Sequence, residues 1–132
     1  MSKFAPEYPW PGGNGGNGTG KLSKGETRQI LMDKQGGVSP LTGRRLSGIL
    51  ERHHVKELAN GGDKFSLANQ QLIPRAEHVG EHLVRSRDTR RTPEDQEREW
   101  HTAMGRISEL NDDELRDFNE YIGRRGVKVR FY

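Results

Sequence analysis

Residues 51–82 read ERHHVKELANGGDKFSLANQQLIPRAEHVGEH, and four of the chain's five histidines fall among them: His53, His54, His78 and His82. The adjacent pair follows the apolar residues Ile49 and Leu50, which predicts a strand. Gly61-Gly62 marks a loop, and Asn69 stands at the mouth of a second apolar run, Leu72 and Ile73. His78 and His82 are four apart in a segment expected to be helical from near Pro74. Residues i and i+4 of a helix share a face, so both imidazoles can address one ion. Strand, loop, short strand and helix thus offer three or four imidazoles to one point.

The chemistry of each position follows from residue type and spacing. His53, His78 and His82 are the candidate ligands of one divalent ion. The candidate ions are zinc, magnesium, nickel and manganese: neutral imidazole suits zinc, nickel and other transition ions, whereas magnesium prefers oxygen and leans on water and phosphate. Three protein ligands leave a coordination position open, as catalysis requires. His54 lies on the opposite strand face from His53, so the two should not bind the same ion. A free imidazole there is a candidate general base, braced by a backbone carbonyl of the 56–68 loop. Glu51, two before His53, shares its face and is a candidate to orient an arginine or the metal shell.

The segment resembles the HNH, or ββα-metal, nuclease motif, and is most similar to the colicin/pyocin-type bacterial DNase toxin domains. Glu51, His53-His54, Gly61-Gly62, Asn69 and the His78-x3-His82 helix carry the resemblance. The separations agree too, sixteen residues from His53 to Asn69 and nine more to His78. The resemblance covers about a quarter of the chain. It implies an α+β fold with a ββα-metal core and the same division of labour between His53 and His54. Asn69 would pin the long loop to the strand, completing a catalytic set of His54, Asn69 and Glu51. The implied activity is hydrolysis of DNA phosphodiesters without sequence preference, leaving 5′-phosphate and 3′-hydroxyl ends. The implied setting is an antibacterial toxin restrained by an acidic immunity protein. A phage or mobile-element nuclease carries the same motif. A rival of another class is a zinc-stabilised nucleic-acid-binding module without catalysis, which would have no use for His54.

Two departures stand out. Many HNH proteins carry flanking Cys pairs, but this chain has no cysteine and reads Ser39-Pro40-Leu41-Thr42-Gly43 at the comparable place. Disulfides and thiolate metal sites are therefore excluded. The family's arginine six residues before the first motif histidine is here Ser47, so the phosphate clamp falls to Arg44, Arg45 or Arg52.

Of the 132 residues, 30% are hydrophobic and 31% charged, which suits one domain with one modest core. The net charge of +3 is modest. The arginines cluster, however, and their planar forks match phosphate. Arg44, Arg45, Arg52, Arg85 and Arg87 are the candidate DNA contacts, giving salt-sensitive binding. No run is long and apolar enough to span a membrane, and the N-terminus lacks a signal-peptide pattern. A monomer is expected, cytoplasmic unless it is a toxin exported by a dedicated system to act in the target cell's cytoplasm.

Along the chain, residues 1–20 read as a flexible Gly/Pro-rich segment ahead of a nuclease domain over 21–132. Its motif core is placed at 49–87. Ser23-x-x-Glu26 is a capping box, predicting a helix from Lys24 that Gly36-Gly37 stops. Pro40–Gly43 predicts a turn, Leu46–Val55 a strand or hairpin interrupted at Gly48, Gln70–Ile73 a strand, and Pro74–Arg87 a helix. Lys56–Ala68 is a long loop of the kind that often carries function. An extension over 92–132 follows, with helices started by Thr92-Pro93-Glu94 and by Asn111–Glu114. Trp100, Met104, Ile107 and Leu110 form an apolar stripe, as do Leu115, Phe118 and Ile122. Val127, Val129 and Phe131 alternate and predict a last strand. The extension is expected to complete the core, with His101 at the surface or in packing.

Overall fold

The computed structural model describes residues 22–132, and the proposed tether over 1–20 lies outside the described residues. The described chain is mixed α+β, with four α-helices and a small two-stranded antiparallel sheet. It divides into two compact units, one ending at Ile73 and the other beginning at Pro74.

In the first unit, α1 spans Lys24–Lys34. Its capping box is made in full: Ser23 Oγ accepts from the Glu26 amide at 3.1 Å, and Glu26 Oε1 accepts from the Ser23 amide at 2.7 Å. Two of the orphan donors of the first turn are thereby satisfied. Thr27, Ile30 and Leu31, at i, i+3 and i+4, form its buried face. After the helix the chain turns back on itself, Val38 pairing with Arg45 across the predicted turn. Leu46 is held in this turn by a bond from its amide to the Gly37 carbonyl, and Gly48 takes a positive φ of 72°. The first strand is therefore shorter than the apolar run suggested: β1 is Leu50–His54. It pairs with β2, Gln70–Pro74.

Leu31, Leu46 and Leu72 form the core of this unit, with Met32, Leu50 and Leu67 packed against them. Burying a leucine in this way contributes about 1.5–3 kcal/mol. Gln35, the residue that closes α1, fastens the helix to β2 by its side chain. Its Oε1 accepts from the Leu72 amide at 2.7 Å, and its Nε2 donates to the Leu72 carbonyl at 2.8 Å.

The second unit is three helices: α2 Arg75–Ser86, α3 Pro93–Ile107 and α4 Asp112–Arg124. Both later helices pack on α2. Thr92 caps α3 and Asn111 makes a capping box with Glu114, as the sequence predicts. Ala76, Val79 and Leu83 line the buried face of α2, and Phe118, Tyr121 and Ile122 that of α4. The helices come so close at Gly80 that a Cβ there would lie 2.6 Å from the Tyr121 ring. Arg75 and Glu114 add a two-pronged ion pair, at 2.9 and 2.5 Å, near the starts of α2 and α4. The extension thus supplies much of this unit's core, as expected.

Two expectations for the extension need correction. The inward positions of α3 are Glu99 and Ala103, one residue ahead of the apolar stripe, and Trp100 is exposed. Residues 127–131 form no strand. Asn119 instead grips Phe131 through both backbone groups, each at 2.8 Å, and Phe131 sits edge-on to Phe118. The alternation does not mark one covered side, since Val127 is buried and Val129 is exposed.

Glu81 on α2 gathers a small polar cluster. The Tyr121 hydroxyl donates to it, Arg125 reaches the same oxygen at 2.6 Å, and Arg85 lies 3.7 Å from the other. Burial, then the bond to and charge of Glu81, push the Tyr121 phenol above its ordinary 10.0. A phenol pushed up in the folded state adds stability that is complete below its unfolded value and fades as pH rises beyond it. Urea midpoints are therefore expected to fall between about pH 9 and pH 11, and the fall should be shallower in Tyr121→Phe. Equal slopes in the two proteins would remove Tyr121 as the cause.

No helix of the described residues is long and apolar enough to cross a membrane.

Candidate functional site

The motif residues of the first unit are set by β1 and the loop after it. Strand alternation turns His53 inward, 3% exposed, and leaves His54 partly open to solvent. Glu51 is partly buried on the His53 side of the strand's alternation. His54 Nε2 lies 3.1 Å from the Lys64 carbonyl oxygen. A carbonyl can only accept, so Nε2 carries the proton and a neutral His54 has its lone pair on Nδ1. The brace expected from the 56–68 loop is thus Lys64.

That loop is well built for its length. Short 3₁₀ turns at Leu58–Asn60 and Leu67–Asn69 bracket it. Asp63 Oδ1 accepts from the Phe65 and Ser66 amides at 2.9 and 3.2 Å, a local turn typical of aspartate. Asn69 then ties both limbs together. Its Oδ1 accepts from the Lys56 amide at 2.7 Å, while its Nδ2 donates to the Lys56 and Asp63 carbonyls at 3.0 and 3.1 Å. Its own carbonyl accepts from Val55 at the end of β1. Gly61 has a φ of 90°, which favours glycine. Gly62 is required by proximity, since a Cβ there would fall 2.0 Å from the Lys56 oxygen and 2.9 Å from Asn69 Nδ2.

In the second unit α2 places His78 and His82 one turn apart, ring centroids 5.0 Å from each other. His82 Nδ1 lies 2.6 Å from Oε1 of Glu99, a buried carboxylate on α3. With Nδ1 so engaged, Nε2 is the nitrogen left for an ion. A carboxylate behind a ligating histidine is the usual arrangement in protein metal sites. His82 therefore suits a transition ion in both donor type and tautomer, and His78 in donor type. Among the described residues, no three His, Cys, Asp or Glu side chains are gathered in metal-binding geometry.

The basic candidates differ in availability. Arg45 and Arg87 are exposed and Arg44 is partly so. Arg52 donates to the Gln70 side chain at 3.2 Å. Arg85 is 7% exposed and lies against Glu81, so its charge is directed into the unit. His101 is a surface residue paired with Glu97. Three contributors were not singled out in the sequence: Asp63, the Lys64 carbonyl and Glu99. Asp63 carried a signal, being an aspartate directly after a Gly-Gly, but backbone acceptors and cross-helix partners carry none.

Comparison with protein-family models, with characterised proteins and with solved structures finds no match for this chain.

Proposed function

We propose that the protein is a metal-dependent endonuclease of the HNH type, with a ββα-metal core, that hydrolyses DNA phosphodiesters with little regard to sequence. The observation that carries the reading is the bond between His54 Nε2 and the Lys64 carbonyl. A histidine held in one orientation and tautomer by a backbone carbonyl serves a catalyst and is superfluous in a zinc-stabilised binding module.

In this reading His54 Nδ1 takes the proton from the water that attacks phosphorus. Lys64 keeps the ring in orientation and tautomer through the transfer. Asn69 keeps Lys64 in place by holding the adjacent Asp63 carbonyl and the Lys56 end of the loop. Residues His78 and His82, with His53 as the motif implies, would hold the ion. When bound, the ion offsets the charge that develops on the phosphate and the departing 3′ oxygen. Glu51 would steady that shell. Arg44, Arg45, Arg52 and Arg87 would meet backbone phosphates, which carry no sequence information. The family resemblance places such an enzyme among antibacterial toxins, with an acidic immunity protein as its natural restraint.

A plasmid-cleavage assay with magnesium, manganese, nickel and zinc in turn tests the reading. Supercoiled DNA of any sequence should be nicked with at least one ion, and chelation should stop the reaction. Binding without cutting under every ion would favour the non-catalytic module.

A further inference from the structure

We infer that Glu99, from the helical extension beyond the motif, is a positioning residue that presents His82 to the metal ion. The inference rests on the metal-site reading above and extends it to a residue 17 positions away on another helix. Glu99 is 4% exposed. Placing a carboxylate there is costly unless it is hydrogen-bonded, and His82 Nδ1 meets it at 2.6 Å. It also occupies an inward position of α3 that an apolar residue would fill more cheaply. A carboxylate only accepts, so its bond to Nδ1 puts the ring proton there and directs the Nε2 lone pair outward. The same bond fixes the ring plane. His78, one turn earlier, has its ring 5.0 Å away, so fixing one ring sets the spacing at which the pair can share an ion. The extension would then have a second task besides its core: α3 backs the metal-site helix with a carboxylate.

The test is zinc affinity by competition titration of the full chain, with Glu99→Gln, Glu99→Ala, His82→Ala and the double variant His82→Ala/Glu99→Gln. Circular dichroism and thermal melts without metal accompany each. Glu99→Gln keeps the shape of the side chain and should weaken zinc binding about 10–100-fold, the usual effect of losing such a partner. Glu99→Ala should weaken it at least as much. Once His82 is gone, Glu99→Gln should cost little more, because the carboxylate acts only through that ring. Wild-type affinity in Glu99→Gln, or the same loss with and without His82, would overturn the inference while leaving the metal site standing. Zinc binding unaffected by His82→Ala would overturn both.

Discussion

His54→Ala is expected to lower plasmid nicking about 10²–10⁴-fold, the contribution typical of a well-placed general base. Zinc affinity and thermal stability should stay close to wild type. The separation follows from strand geometry. His53, the proposed ligand, is buried, whereas His54 is on the other side of β1, partly open and bonded to the loop. Removing His54 frees one backbone carbonyl near solvent, and that costs little stability. His54→Gln probes the role further, since an amide can keep a bond to Lys64 but cannot take up a proton at neutral pH. It should be as inactive as the alanine variant. Nicking at the wild-type rate in either protein would remove His54 from the chemistry.

Gly62→Ala should do nearly as much damage without touching a chemical group. The new methyl would lie 2.0 Å from the Lys56 oxygen, so backbone must move, and that oxygen is the one Asn69 holds. Overpacking of this kind costs about 1–3 kcal/mol. Displacement of Lys64 by 1 Å through the loop is enough to cost about 100-fold in rate. The expected result is a protein that still folds, melts at lower temperature and nicks at least tenfold more slowly. Zinc binding to the helical pair should be retained. An alanine variant with wild-type nicking would mean that the loop does not position the base. Gly61→Ala is a useful contrast. Its Cβ would find room, so it should show only the strain of a positive φ.

Local signals were legible where chemistry and geometry share one stretch of sequence. The capping residues Ser23, Thr92 and Asn111 begin the helices they predict. Gly61-Gly62 and Asn69 mark the loop, because a tight approach and a two-headed amide leave a residue-type signature. Partners distant in sequence were not legible. Glu99 stands in a polar run, PEDQERE, where nothing distinguishes the one acid that turns inward. The apolar stripe beginning at Trp100 therefore suggested the neighbouring face of α3. Residues 127–131 misled for a similar reason. Alternation suggested a side covered by a neighbouring strand, but Val129 is exposed and Phe131 is held by Phe118 and Asn119 of α4. Arg85 looked like a phosphate contact on charge alone, but Glu81, one helical turn earlier, draws it in.

The grip of Gln35 on Leu72 also bears on self-association. The outer edge of a two-stranded sheet is ordinarily a template on which another chain can hydrogen-bond, the first step of domain swapping and fibril growth. On β2 the amides that alternate outward belong to Gln70, Leu72 and Pro74. Gln70 already donates to the Leu67 carbonyl, Leu72 donates to Gln35, and proline has no donor. That rim therefore has no free N–H for an incoming strand. On this edge a glutamine side chain stands in place of a third strand, and an incoming chain would have to displace it from Leu72.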